Sequence, residues 1–131
     1  MTFETTPMTT TPTTPTSPFE GGEPRPGGYR DISVHATVAA TGAIRLIDVR
    51  EPAEFDGELG HLATSELVPL ATVVDAAAAW PKDRDLILIC RSGNRSGRAA
   101  EALVARGFTR VMNMAGGMLA VNAAGLPVER R

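Results

Sequence analysis

From Tyr29 onward, short apolar runs alternate with longer stretches in which apolar residues recur at helical spacing. Ile44–Val49 (IRLIDV), Asp85–Cys90 (DLILIC) and Arg110–Met114 (RVMNM) predict buried strands, and Glu66–Leu70 predicts a weaker one. Ser33–Thr41, Ala71–Trp80, Asn94–Arg106 and Gly117–Ala124 predict helices. Gly42, Gly107 and Gly125 stand where a helix C-terminus calls for a left-handed residue, and Pro81 stops the alanine-rich segment before it. Strands alternating with helices imply an α/β fold with right-handed crossovers. The expected architecture is three-layered, with a mostly parallel central sheet of about five strands flanked by helices. The consecutive apolar run Leu86–Ile89 suits a central strand covered on both faces. Functional crevices of such sheets lie beyond the carboxyl ends of the strands. That rule brings Asp48–Arg50, Cys90–Ser96 and Met114–Gly117 together from distant parts of the chain.

Composition changes this picture at one end. Residues 1–28 hold nine Thr and six of the ten Pro but no Leu, Ile or Val. Such a stretch buries too little apolar surface to offset its ordering entropy, so it is expected to be a disordered Thr/Pro/Gly-rich tail, leaving residues 29–131 as the single domain. The stretch lacks the basic start and apolar core of a secretory signal, and with no apolar run near the ~20 residues of a membrane span a cytoplasmic protein is expected. The chain carries a formal net charge of −2. Removing the tail's Glu4, Glu20, Glu23 and Arg25 leaves twelve acids and twelve bases. That balance offers no general attraction to nucleic acid or to an acidic membrane surface. One cysteine excludes an internal disulfide, and with two histidines it is poor material for a structural metal site, so no metal is expected.

The chemistry therefore centres on the single thiol. Cys90 ends a buried strand, and a helix begins a few residues later. Ser92, Gly93 and Asn94 accept unusual backbone angles, so the loop Cys90-Arg91-Ser92-Gly93-Asn94-Arg95-Ser96 can curl with its amides inward, toward a helix N-terminus. Arg91, Arg95 and Arg98 follow with no acid between Asp85 and Glu101. Each of these features favours the thiolate, which is the nucleophilic form, over an inert buried thiol.

The loop CRSGNRS after LILI resembles the active-site loop of the rhodanese (sulfurtransferase) family. LIDVREPAEFDGELGHL is similar to the family's first signature, and GGMLAVNAAGLPVE to its C-terminal Gly-Gly signature. The resemblance spans about Asp31 to Glu129. It implies a rhodanese-like fold and a two-step transfer without cofactor. Cys90 takes the outer sulfur of a donor such as thiosulfate, and the persulfide passes it to a thiophilic acceptor: cyanide, a thiol or a protein. The amides of Arg91 to Ser96 would cradle the persulfide. Arg91 and Arg95 would recognise the anionic donor, with Arg95 the more tied to loop shape. The loop length also argues against phosphatases and arsenate reductases of the related cell-cycle phosphatase type. Their loop is one residue longer, whereas here the residue five positions after Cys90 is Arg95 and the sixth is Ser96. No Asp stands beside Cys90 as a leaving-group acid.

By the same resemblance Asp48 and Arg50 help to organise the loop; an Asp–Arg pair that only fixes the turn is the competing reading. Glu51 and Glu54 read as structural, with Pro52 at a first helical position. His61 matches the Gly-His signature and is either a proton-transfer group or, preferably, a turn residue. His35 reads as a surface residue and Trp80 as a core plug. Two positions depart from the family pattern: Val121 replaces the usual tryptophan, and Ala63-Thr64-Ser65-Glu66 replaces the usual Pro-Gly-Ala turn. The rival functions are a catalytically silent binding module and a sensor of oxidants through Cys90.

Overall fold

The computed structural model describes residues 17–130. Its six strands are β1 (Glu23–Pro24), β2 (Arg30–Ile32), β3 (Arg45–Asp48), β4 (Glu66–Leu67), β5 (Leu86–Ile89) and β6 (Val111–Met114). They form one sheet in the order β1-β2-β6-β5-β3-β4, in which only the β1–β2 pair is antiparallel. The helices are α1 (Val34–Ala39), α2 (Pro52–Phe55), α3 (Leu70–Ala77), α4 (Asn94–Ala105) and α5 (Gly117–Ala123). This is the expected mostly parallel α/β sheet, with one strand more than anticipated.

Alternation along the strands divides the core into two layers. Ile47, Val49, Leu86, Leu88, Cys90 and Val111 face α3 and α4, where Val73, Ala77, Ala99, Ala100 and Leu103 cover them. Leu46, Ile87, Ile89, Met112 and Met114 face the other way, against Val34 of α1 and Met118 and Val121 of α5. β5 lies between β6 and β3, so both its faces are covered. That is why its four residues are all apolar. No helix among the described residues is long and apolar enough to cross a membrane.

The glycines punctuate the helices as expected, and Ser33 lies just outside α1 rather than within it. Ser33 caps α1, its hydroxyl accepting from the Ala36 N–H at 3.0 Å. Gly42, Gly107 and Gly125 all adopt positive φ. The run at Glu66–Leu70 pairs over only two residues, because Pro69 donates no N–H and Leu70 already opens α3.

β1 and β2 were not foreseen. With three residues and one buried apolar position, β2 carries no period strong enough to see. It forms because its backbone completes β6, in the register Arg30↔Met112, Asp31↔Asn113 and Ile32↔Met114. Residues 17–28, assigned to the tail by composition, pack against this edge. The guanidiniums of Arg30 and Arg110 lie over the Phe19 ring, 4.3 and 4.7 Å from its centroid, and the Phe19 carbonyl accepts from Arg30 Nη1 at 2.8 Å. One aromatic ring with two cations, together with strand pairing, stands in for the missing aliphatic residues. Residues 1–16 of the tail lie outside the described residues.

Candidate active site

The three segments expected to meet do so at the carboxyl ends of β3, β5 and β6. Cys90 follows β5 directly and is fully buried. The chain then turns through Gly93, at φ 100°, and enters α4 at Asn94. A Cβ on Gly93 would also crowd the Gly116 backbone N, at 3.2 Å. Glycine is thus demanded twice here, by conformation and by space.

The loop is pinned from behind by α5. The Met118 N–H donates to the Cys90 carbonyl at 2.9 Å, and the Leu119 N–H to the Arg91 carbonyl at 3.0 Å. These are two of the N–H groups that the first turn of a helix leaves without an internal partner. By drawing the loop carbonyls outward they leave the loop amides facing the sulfur. Backbones this close require Gly117: a Cβ there would stand 2.6 Å from the Cys90 carbonyl oxygen. The Gly-Gly signature therefore serves the loop through backbone contact.

Cys90 Sγ accepts from the Gly93 N–H at 3.1 Å and lies 3.3 Å from Ser96 Oγ. Burial pushes the thiol pKa up. The Ser96 hydroxyl and the N–H groups of Ser96, Gly93 and Ser92 outweigh it, so the net direction is down from an ordinary cysteine. Arg91, Ser92 and Asn94 are exposed on the rim, and Ser96 is buried beneath it.

Arg95 does not project freely. Its guanidinium grips Glu54 with two bonds, Nη1–Oε1 at 2.8 Å and Nη2–Oε2 at 2.7 Å. Those bonds hold the Glu54 carboxyl down at about 2, against the opposing effect of burial, and in turn raise Arg95. Glu54 closes the capping box of α2 as well, accepting from the Glu51 N–H at 3.0 Å. Sequence reading gave Glu54 only a structural part in its helical turn and missed its grip on the loop. The available signal was the loop itself, whose arginines have no acid nearby in sequence and so must find one elsewhere.

Asp48 and Arg50 form a fully buried pair, with Nη2–Oδ2 at 2.8 Å and Nε–Oδ1 at 2.9 Å. Arg50 also donates to the Gly60 carbonyl at 2.8 Å and the Glu54 carbonyl at 3.2 Å. Arg50 is thus bonded to the backbone of Glu54, whose side chain holds Arg95. A cavity of about 230 Å³ lies alongside, lined by Arg50, Glu54, Leu59 and Arg91 among others.

His61 stands in a structural setting. Its Nδ1 faces the Phe55 carbonyl at 2.9 Å, so that nitrogen carries the proton. Its ring stacks on Phe55 at 3.8 Å, and its backbone bridges to Glu129. After it, Thr64 takes a left-handed conformation (φ 66°) and the Ser65 hydroxyl donates to the Leu62 carbonyl at 2.7 Å, giving this turn its own course. Val121 is fully buried in the α5 layer, His35 is exposed, and Trp80 packs on the core beneath the Arg45 guanidinium. Among the described residues no three His, Cys, Asp or Glu side chains are grouped to hold a metal ion.

The model of the rhodanese-like domain family matches residues 33–124. The chain belongs to the rhodanese-like domain family. A sulfurtransferase of Allochromatium vinosum is 35% identical over 96 residues, covering 73% of this chain and 88% of that protein. The thiosulfate sulfurtransferase GlpE of Pseudomonas paraeruginosa is 34% identical over 73 residues, 56% of this chain and 64% of that one. Among solved structures, a rhodanese-related protein from Thermoplasma volcanium superposes with a TM-score of 0.70 at 29% identity, covering 79% of this chain and all of the other. The rhodanese-like domain here thus has sulfurtransferase-named relatives at modest identity.

Proposed function

We propose that this rhodanese-like domain is a sulfurtransferase that carries sulfane sulfur on Cys90. The observation that supports it most directly is the ring of N–H groups from Ser92, Gly93 and Ser96 directed at a thiol held below its ordinary pKa. The Cys90 thiolate attacks the outer sulfur of thiosulfate or of a persulfide donor. A sulfur–sulfur bond forms, the donor's own sulfur–sulfur bond breaks, and its electron pair leaves with sulfite or with the donor thiolate. An acceptor nucleophile (cyanide, a thiol or a protein thiolate) then attacks the outer sulfur, and Cys90 departs as thiolate. The loop amides would hold the terminal sulfur anion in the persulfide state. Exposed Arg91 would meet an anionic donor, while Arg95, already paired with Glu54, keeps the loop in shape. The six-residue loop favours sulfur over phosphorus, because a smaller ring of amides, with the Gly93 N–H 3.1 Å from Sγ, suits a single sulfur atom better than a tetrahedral phosphate. The proposal includes a cytoplasmic setting, where thiols stay reduced.

Intact-protein mass spectrometry after brief exposure to thiosulfate, and again after cyanide, tests it. The expected result is a gain of one sulfur atom that cyanide removes and that Cys90→Ser abolishes without loss of fold. No gain from thiosulfate or from any persulfide donor would leave a binding module in place of an enzyme.

A further inference from the structure

Behind Cys90 lies a chain of buried polar groups that the proposed transfer does not use. Asn113 is 4% exposed and sits in the middle of β6, among residues that are otherwise apolar. Its Nδ2 donates to Asp31 Oδ1 at 3.0 Å and to the Gly93 carbonyl at 3.2 Å. Neither partner can donate in return, so both amide hydrogens are engaged and the amide has one allowed orientation. Its Oδ1 therefore faces Ser96 Oγ, at 2.5 Å. The same Ser96 oxygen lies 3.3 Å from Cys90 Sγ. A serine hydroxyl has one hydrogen, and two acceptors compete for it.

We propose that Asn113 is a positioning residue that competes with the Cys90 sulfur for the single hydroxyl proton of Ser96, and so restrains formation of the thiolate in the resting protein. While Cys90 is a thiol, its S–H donates to Ser96 Oγ and Ser96 donates to Asn113. When the thiol gives up its proton to solvent, the Ser96 hydroxyl turns to the sulfur and Asn113 Oδ1 is left unpaired in a buried place, which is costly. When Cys90 bears a second sulfur, the negative charge moves to the outer atom and Ser96 returns to Asn113. Asn113 thereby favours the loaded and the protonated forms over the bare thiolate. Only rotation of the Ser96 hydroxyl is involved, and no bond of Ser96 breaks. The inference deepens the proposed function to the extent that Cys90 is the reacting group.

The sheet register builds this relay. Asp31 and Asn113 are direct partners on β2 and β6, and Arg25, from the segment before β2, lies 3.6 Å from Asp31. Other charges around Cys90 are Arg91 and Arg95 on the loop, Glu54 on α2, Asp48 and Arg50 at the end of β3, and Arg98 and Glu101 on α4. β6 and α5 bring no titratable side chain.

The pH profile of Cys90 alkylation by iodoacetamide in the full chain tests the proposal, because it reads the thiol itself. Sulfur loading followed by mass in the wild-type protein tests the transfer separately. Asn113→Leu is expected to lower the alkylation inflection by about one pH unit, near tenfold in rate below it. The shift is expected to vanish in a Ser96→Ala background, since without the hydroxyl there is nothing to compete for. Asn113→Ala, which avoids the bulk of leucine and so is less exposed to folding failure, also removes the acceptor that competes for the Ser96 hydroxyl. It should lower the inflection in the same Ser96-dependent way. An unmoved or raised inflection in both single variants would overturn the proposal. So would a fall that persists in the Ser96→Ala background, which would mark a field or loop effect.

Discussion

On the α5 side of the cysteine loop, the carbonyls of Cys90 and Arg91 are met by backbone N–H groups; on the α2 side, the Arg95 guanidinium is met by the Glu54 carboxylate. The first support contains no side chain and depends on the absence of one at Gly117. The second consists of side chains, Arg95–Glu54 in front and the buried Arg50–Asp48 pair behind. A backbone support is indifferent to pH and salt but admits no added atom. A charged support tolerates more in shape, yet answers to protons and screening. The loop thus combines a steric wall with an electrostatic one, and each fails in its own way.

Substitutions can break this contrast. The largest loss is expected from Arg50→Met, which leaves the Asp48 carboxylate buried without its guanidinium. Removing one partner of a buried pair costs about 3–5 kcal/mol, measurable by urea unfolding. Gly117→Ala is expected to cost about 3 kcal/mol, through a positive φ and a collision with the loop carbonyls, and to reduce Cys90 alkylation along with stability. If it cost less than Glu54→Gln, the backbone wall would not be the firmer of the two. Glu54→Gln should cost about 1–2 kcal/mol near neutrality, since its carboxylate is only partly exposed yet screened.

The smallest effect sharpens the contrast most. The Glu54 pKa is depressed from 4.5 to about 2, so the stability it confers is complete above its unfolded value and is lost as pH falls from about 4.5 toward 2. Unfolding free energies across that window should bring wild type and Glu54→Gln together at the acid end. The deficit of Gly117→Ala should stay constant over the same range, because nothing on the α5 side titrates.

Legibility followed the same line. β3, β5 and β6 were readable because each buries several apolar residues in succession, and the helices because their apolar positions repeat. The three glycines after α1, α4 and α5 marked helix ends through a local conformational demand. β2 was not readable: Arg30 and Asp31 look like loop residues until β6 supplies a partner backbone. The ordering of Phe19 likewise depends on Arg30 and Arg110, the second of them 91 positions away in the chain. Within the site, Cys90, its loop and the Gly-Gly signature were legible as local motifs. Glu54 and Asn113 were not, since a capping glutamate and an asparagine in a strand each have an ordinary local explanation.

By itself the sequence determined the order of elements from α1 onward, the place of the thiol at a strand end and the glycine positions, because these depend on neighbours in the chain and on backbone freedom. Only the tertiary structure decided which carboxylate holds Arg95, which carbonyls α5 captures, and that one serine hydroxyl stands between Cys90 and Asn113. Those contacts span up to 41 positions along the chain. Hydrogen bonds and ion pairs act over about 3 Å, and such distances between remote residues exist only after the sheet has brought its strands into register.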